Sequence, residues 1–228
     1  MVIEEGFAFR PGSFLARLSP EDLSVLFAAG QRRRYVRNAN LFLEGESPGR
    51  VFMSLRGRAK VSSASPRGRA VVLGIRGSGD ILGELSAIDG RPRIASAVAL
   101  EPTEMLLVPA AAFQSFVEGR PGVASALLRV FAERLRESDT NRTHFGSDDC
   151  ATRVALLLLD LSQRHGALGE NGNKIDLPLT QQDIADWVGE SREAVTKALH
   201  SLRAAGLVET DRRAITILDA PGLAVRAS

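Results

Sequence analysis

The stretch from Thr180 to Leu202, TQQDIADWVGESREAVTKALHSL, constrains the chain more tightly than any other. It reads as two short helices joined by a tight turn. At about 100° per residue, Arg192, Glu193, Thr196, Lys197 and His200 fall within about 140° of one another. Ala194 lies at the boundary, and Val195, Ala198, Leu199 and Leu202 take the opposite side. One face is built to be buried and the other to hydrogen-bond. Thr180 and Ser191 stand where a side-chain oxygen can accept from the free N–H groups of a first turn. Gly189 stands where a helix-ending turn needs a left-handed residue. Ile184, Trp187 and Val188 follow i, i+3, i+4, so Trp187 is expected in the core. Such a polar helix suits the major groove of double-stranded DNA as the second element of a helix-turn-helix. Taken alone, the pattern also fits an ordinary helical hairpin.

Composition narrows the partner question. The chain has 228 residues, 44% hydrophobic and 25% charged, with a net charge of +2. From Cys150 onward there are 9 Lys/Arg against 10 Asp/Glu, so any grip on nucleic acid must come from placed residues and not from bulk charge. Cys150 is the only cysteine, which excludes an intrachain disulfide and a thiolate-only metal or iron–sulfur cluster. It is expected to be a buried packing residue. His144, His165 and His200 are far apart and match no catalytic or metal spacing. An enzyme, a metal site and a resident cofactor are therefore not expected. A haem on His144 or Cys150 is the one cofactor these residues leave open, and a visible absorption spectrum tests it. No apolar run approaches the roughly 20 residues of a membrane span, and the N-terminus lacks a signal-peptide pattern. The expectation is a cytoplasmic protein without a membrane partner.

Residues 1–12 are punctuated by glycine and proline. Leu15 to Gln31 reads as helix, with Ser19 as cap, Pro20 in the first turn and early acids at Glu21 and Asp22. Leu18, Leu23, Leu26 and Phe27 form its apolar stripe. The basic run Arg32, Arg33, Arg34 and Arg37 reads as a solvated strand edge in preference to a phosphate-contacting patch. From Tyr35 to Pro109 short strands alternate with glycine turns: 41–43, 51–55, 59–63, 70–75, 94–98 and 103–108. That spacing predicts an antiparallel barrel or jelly roll. Arg50 to Arg76 holds seven basic residues and no acid, which reads as a solvated barrel wall.

One interruption carries chemistry: GDILGELSAIDGRPRIAS, Gly79 to Ser96. A strand ends at Gly83 and a short helix is expected over 84–88, its N–H groups and partial positive charge suited to a phosphate. Glycine at 83 permits close backbone approach. Arg93 is expected at the start of the next strand, where its fork can pair with an anionic oxygen. Glu84 would repel a phosphate but can accept from a ribose hydroxyl. The set fits a nucleotide with one phosphate charge and a free 2′-OH.

Within this stretch GELSAIDGRPRIAS resembles the phosphate-binding cassette of cyclic-nucleotide-binding domains. With the C-terminal motif, the chain resembles the cyclic AMP receptor protein branch of the Crp/Fnr transcription-factor family over nearly its whole length. The resemblance implies an α+β protein with an N-terminal antiparallel β jelly-roll barrel, a long dimerisation helix and a C-terminal winged helix-turn-helix. It implies a ligand site at Gly83, Glu84, Leu85, Ser86, Arg93, Ile94 and Ala95, with Glu84 on the ribose hydroxyl and Arg93 on the cyclic phosphate. Where this branch commonly has Ser after the arginine, this chain has Ile94, which can still donate a backbone N–H.

A long helix is expected from Pro121 to about Thr143. Ala124, Leu128, Phe131, Leu135, Ser138, Arg142 and Phe145 are spaced 4-3-4-3-4-3, a heptad seam, while Val123, Leu127 and Val130 suit packing on the barrel. Two apolar faces favour a parallel homodimer, with Leu128, Phe131, Leu135, Ser138, Arg142 and Phe145 at its interface. The seam turns polar at Ser138, Asp139 and Arg142. By the resemblance adenine lies there, Ser138 conserving a hydroxyl and Asp139 accepting from the 6-amino group, which favours cyclic AMP over cyclic GMP as effector. Phe145 to Asp149 is expected to break the helix as a hinge. The domains would be 1–119 (sensor), 120–146 (dimerisation helix and hinge) and 147–228 (DNA-binding). In the last, 151–165 reads as an amphipathic helix, 166–174 as a loop, and 207–209 with 214–218 as a hairpin wing.

In the reader helix Arg192 and Lys197 would donate to guanine edges and Glu193 accept from a cytosine amino group. The resemblance implies base contacts at these three positions, with Lys197 where Arg is common. Thr196 and His200 share their face, and Thr180, Gln181 and Ser191 could touch phosphates. The expected function is a ligand-responsive DNA-binding regulator that works with RNA polymerase. A member with a decayed or different effector site, binding DNA constitutively, is the alternative.

Overall fold

The structure is a computed structural model. It describes residues 2–3, 6–65, 68–147, 149–169, 172–211 and 214–227, with the backbone alone for 2–3 and 141–147. The chain divides into two compact units, Met1–Glu137 and Ser138–Ser228.

In the first unit a short hairpin, β1 (Val2–Ile3) and β2 (Phe7–Ala8), precedes a 3-10 turn at Leu15–Arg17 and helix α1 (Pro20–Ala28). The expected helix over 15–31 is thus divided. Leu18 and Ser19 are extended, Ser19 Oγ accepts from the Asp22 N–H at 3.1 Å, and Pro20 has no N–H to extend the helix backward. Gln31 already belongs to a strand. Eight more strands follow: β3 (Gln31–Tyr35), β4 (Asn40–Phe42), β5 (Arg50–Arg56), β6 (Ala59–Ala64), β7 (Ala70–Arg76), β8 (Ile81–Leu82), β9 (Ser96–Ala99) and β10 (Thr103–Pro109). Helix α2 (Glu84–Asp89) stands between β8 and β9, and α3 (Ala110–Glu118) and α4 (Pro121–Ser147) follow β10.

The strands form two four-stranded antiparallel sheets, in the orders β3-β10-β5-β8 and β4-β9-β6-β7. This is the jelly roll expected. β5 and β10 show why it forms. Their apolar runs do not alternate with polar residues, yet successive side chains point to opposite faces, so each strand serves two cores. Phe52, Met105 and Leu107 meet Leu41, Phe42, Ala97 and Ala99 between the sheets. Val51, Met53, Leu55, Leu106 and Val108 face the helices, where Phe14, Leu23, Phe113, Val123 and Leu127 close over them. Arg32, Arg33 and Arg34 of the basic run lie on β3, an edge strand whose residues 31–34 are exposed, and Arg37 is half-buried in the turn that follows. Arg32 stacks on Phe7 and Phe27, and Arg33 on Tyr35, which supports the solvated-edge reading.

α4 buries Val123, Ala126, Leu127 and Val130 on one face and leaves Leu128 and Leu135 66% and 63% exposed on another. Phe131, counted with the seam, is half-buried against the first unit's own core. Ser138 and Asp139 are exposed. The side chains of Arg142 and Phe145 lie outside the described residues. The break expected over 145–149 falls at the end of that stretch and not at Gly146, since α4 runs through Phe145 and Gly146 to Ser147 and the next helix starts at Cys150 with Asp149 as its cap. One glycine inside a helix costs only about 1 kcal/mol relative to alanine and does not end it.

In the second unit α5 (Cys150–His165) buries Val154, Leu157, Leu158 and Leu161. Strands β11 (Gly166–Gly169) and β12 (Gly172–Ile175) follow, then α6 (Gln181–Val188), α7 (Arg192–Ala204), β13 (Val208–Asp211), β14 (Ala214–Ile217) and α8 (Ala220–Arg226). The segment expected as a loop over 166–174 is therefore a hairpin. β12 pairs with β14, so the two-stranded wing becomes a four-stranded sheet, β11-β12-β14-β13. The glycines that argued for a loop supply Gly172 at φ 135°, where a Cβ would meet the Ile217 carbonyl.

Asp149 caps α5, its Oδ1 accepting from the Thr152 N–H at 2.7 Å while Arg226 donates to Oδ2 at 2.9 Å. Hydrogen bonds from the Thr152 backbone and hydroxyl, then Arg226, hold its carboxyl down to about 2. A carboxyl depressed in the folded state stabilises above its unfolded value, and the contribution is lost as pH falls from about 4 toward 2. Asp149→Ala is expected to cost about 0.5–1 kcal/mol near pH 7, at the low end for a cap because the side chain is largely exposed. In urea unfolding the gap from wild type should shrink at about pH 3; a gap of undiminished size there contradicts the assignment.

Candidate effector cavity and nucleic-acid interface

The first unit contains a cavity of about 130 Å³, open to solvent, lined by Gly83, Glu84, Leu85, Ser86, Arg93, Ile94 and Ala95. All seven cassette residues expected from the sequence thus share one space. β8 delivers the chain to Gly83, which is left-handed at φ 73° and begins α2. A Cβ at 83 would collide with the Arg93 guanidinium, so glycine is required by both conformation and space.

Arg93 does not begin a strand as expected. β9 starts three residues later at Ser96, and Arg93 sits in the preceding loop, where its own N–H donates to the Glu46 carbonyl. The side chain is 4% exposed and lies over Phe42 at 4.7 Å. Its two terminal nitrogens donate to the Gly83 and Arg50 carbonyls, and its Nε is buried with no partner. Burial pulls its pKa below the usual arginine range while Glu84 and Glu46 oppose the shift.

Glu84 is 2% exposed. Its Oε1 accepts from Arg134 Nη1 at 2.6 Å, and its Oε2 is buried without a partner. Arg134 Nη2 also donates to the Ile81 carbonyl at 2.6 Å. An unpaired carboxylate oxygen in such a place is costly and suits a hydroxyl donor. Ser86 Oγ donates to the Pro92 carbonyl at 3.3 Å, tying the two ends of the cassette. Leu85 and Ile94 are 40% and 59% exposed.

Arg76 and Arg134 also line the cavity, and the sequence reading missed both. Arg134 had a signal: it continues the inward stripe Leu127, Val130, Arg134 by i+3 and i+7, where another apolar residue would be expected. Arg76 had none, since its place depends on an irregularity in β7. Among the described residues no group of three or more His, Cys, Asp or Glu is arranged to hold a metal. Burial and the Glu190 carboxylate push the Cys150 thiol up, which disfavours the thiolate a haem iron would require. The side chain of His144 lies outside the described residues.

In the second unit the two-faced helix is formed as expected. Val195, Ala198, Leu199 and Leu202 are buried. Gln181, Arg192, Glu193, Thr196, Lys197 and His200 line one open concavity on the other side. Thr180 and Asp183 form a reciprocal capping box at α6, and Ser191 Oγ accepts from the Ala194 N–H at 3.1 Å. Gly189 ends α6 at φ 72°. Thr196 Oγ1 donates to Gln181 Oε1 at 2.9 Å, locking the first residue of α6 to the polar face of α7. Glu193 is held below the usual carboxylate range by its own backbone N–H and by Ser191. Trp187, expected in the core, is only half-buried, because Ile184, Ala185 and Val188 fill the inner face of the short helix.

Comparison with known proteins agrees with this division. Residues 32–120 match the cyclic nucleotide-binding domain family and residues 152–226 the Crp-like helix-turn-helix domain family. A "CRP-like cAMP-activated global transcriptional regulator" of Mycobacterium tuberculosis is 34% identical over 92% of this chain and 94% of its own length. The "Cyclic AMP receptor protein" of Thermus thermophilus is 30% identical over 89% of this chain and 91% of its own. A solved structure of a c-di-GMP-responsive global regulator from Xanthomonas campestris superposes with a TM-score of 0.79 over 88% of this chain and all of that one. At 22% identity that likeness speaks to the fold alone. A nucleotide-binding jelly roll, a Crp-like helix-turn-helix and relatives similar over nearly their whole length establish that the chain belongs to the Crp/Fnr family of transcription regulators, which are not enzymes.

Proposed function

We propose that the protein is a homodimeric, cyclic AMP-responsive regulator that reads a palindromic DNA site in the cytoplasm and acts with RNA polymerase. The observation that carries the reading is the cavity, which Glu84, with its Oε2 buried and unpartnered, lines together with Arg93. Arg93 takes the cyclic phosphate, and Glu84 Oε2 accepts from the ribose 2′-hydroxyl while Arg134 holds Oε1. Leu85, Ser86, Ile94 and Ala95 border the sugar and phosphate, with the Ile94 backbone N–H replacing a side-chain donor. Ser138 and Asp139 meet adenine, and Asp139 repels the guanine carbonyl at the same place. Leu128 and Leu135, exposed on α4, pack on a second copy with Phe131, Arg142 and Phe145. On this reading 1–119 is the sensor, 120–146 the dimerisation helix and hinge, and 147–228 the DNA-binding domain. Nucleotide activates by binding one arrangement of the hinge better than the other.

The test is binding to a palindrome library with no nucleotide, with cyclic AMP and with cyclic GMP, alongside calorimetry of both nucleotides. DNA binding should depend on nucleotide, with cyclic AMP the tighter ligand; tighter cyclic GMP binding removes the Asp139 assignment. A second reading is a member that binds DNA without nucleotide. It draws on the engagement of both terminal nitrogens of Arg93 by carbonyls, and nucleotide-independent DNA binding would establish it.

On the DNA side, Arg192 and Lys197 donate to guanine edges and Glu193 accepts from cytosine. Thr180, Gln181 and Ser191 meet phosphates, and Thr196 and His200 complete the face. Two-fold symmetry spaces the half-sites by about one helical turn. Glu193→Ala is expected to relax selectivity at one base pair per half-site, by about 1–3 kcal/mol of discrimination. A selection giving the wild-type consensus at every position would remove Glu193 from the readout.

A further inference from the structure

The charged groups lining the cavity are three arginines, Arg76, Arg93 and Arg134, and one carboxylate, Glu84. A cyclic mononucleotide carries a single negative charge and requires one phosphate site, which Arg93 supplies. Arg76 has no counterpart in that scheme, and its place is built by the fold. In β7 the pairing with β6 slips: Val61 lies opposite Gly74 and Ser62 opposite Val72, leaving Leu73 as a bulge. Bulges re-aim side chains beside functional sites, and here both Leu73 and Arg76 line the cavity. Gly74 leaves room for the guanidinium, since a Cβ there would lie 2.7 Å from Arg76 Nη1. Among the described residues that nitrogen donates to the adjacent Ile75 carbonyl alone, at 3.1 Å.

Arg76 and Arg93 line the same cavity in different charge surroundings. Glu84 and Glu46 are the charges that act on Arg93, whereas Arg134, Asp80, Glu137 and Glu84 act on Arg76. Glu84 therefore acts on both. Of the acids near Arg76, Asp80 is engaged by Arg10 at 2.9 Å and by the Gly77 N–H at 2.8 Å, and Glu84 by Arg134. Neither Asp80 nor Glu137 lines the cavity. Burial and the Arg134 charge pull the Arg76 pKa down to about 10, so it stays charged at neutral pH in a place that an added anion would relieve. At the mouth Leu73, Leu85 and Ile94 remain 45%, 40% and 59% exposed, an apolar rim on which a planar base or sugar can rest.

We propose that Arg76, beside Arg134, forms a second anion subsite in this cavity, so that the protein takes a nucleotide carrying two phosphate groups in preference to a cyclic mononucleotide. This rests on the cavity being the effector site, and extends the effector class from one phosphate to two. The shared chemistry is two phosphate groups, from a mononucleotide bisphosphate or from a cyclic dinucleotide.

The experiment is calorimetry on the full chain with cyclic AMP, adenosine 3′,5′-bisphosphate and cyclic di-AMP, which hold the base constant. Wild type should bind at least one of the two-phosphate ligands about tenfold more tightly than cyclic AMP, the value of one charge-assisted contact; which one binds identifies the source. Arg76→Met should weaken that ligand about tenfold more than it weakens cyclic AMP, whereas Arg76→Lys, which keeps the charge, retains part of the preference. If cyclic AMP binds the more tightly in wild type, or Arg76→Met weakens all ligands equally, the second subsite is wrong and the effector reading stands. If no nucleotide binds, or Arg93→Ala binds all three as wild type does, the effector reading falls and the subsite with it. The wild-type comparison requires no variant, so it decides the matter even if Arg76→Met does not fold.

Discussion

Arg93→Ala is expected to weaken nucleotide binding about a hundredfold and to remove ligand-dependent DNA binding while the dimer persists. Arg93 is buried, and the carboxylates of Glu84 and Glu46 act on its charge. Truncating one member of a desolvated charge pair costs about 2–5 kcal/mol, and about 2.7 kcal/mol is a hundredfold. The substitution also leaves the Gly83 and Arg50 carbonyls without their donor and uncovers Phe42. A loss of about 1–3 kcal/mol in sensor stability should accompany it. Arg93→Lys separates the two effects, since it keeps the charge and lacks the planar fork. Its nucleotide affinity should fall between that of alanine and wild type. Calorimetry with cyclic AMP and sedimentation of the free protein are the measurements. An alanine variant that responds normally to nucleotide removes the cavity from the mechanism.

Phe113→Ala is expected to cost about 3–5 kcal/mol, the range for truncating a fully buried aromatic. Phe113 has no exposed surface and meets Phe14 edge-on, with ring centroids 6.3 Å apart. It belongs to α3, which packs against α2 and hence supports the cassette from behind. The variant should therefore also bind nucleotide more weakly, although Phe113 does not line the cavity. Urea unfolding followed by far-UV circular dichroism reports the loss. Fluorescence of Trp187, the one tryptophan, reports the second unit alone. A shift under about 1 kcal/mol would mean that the surroundings collapse to fill the space.

Much of the site was legible before any coordinate, for a definite reason. The cassette lies within one turn and its flanks, so Gly83, Glu84, Ser86 and Arg93 are brought together by local geometry. The same holds for α6 and α7, where caps, a left-handed glycine and a 3.6-residue period specify two helices and their buried faces. Strand positions were legible wherever a glycine turn bounded an apolar run. The β11–β12 hairpin was not, because each of its strands has four residues whose strand character comes from the partner across the ladder. Gly146 misled for a related reason. A propensity of about 1 kcal/mol is a weak prior against a helix already running from Pro121.

What the sequence determined alone is therefore the set of local devices: the glycine-bounded strands, the cassette turn, the two-faced reader helix and the heptad spacing of α4. Each follows from periodicity or from a backbone requirement within a few residues. The tertiary structure decided which distant side chains share a space. Arg134 reaches Glu84 across 50 residues of chain, and Arg76 enters the same cavity because a bulge in β7 turns it there. It also decided that Asp149 and Arg226 meet across the second unit. Such pairings depend on sheet register and helix packing, which sum many weak contacts over the whole unit and leave no signature at any one position.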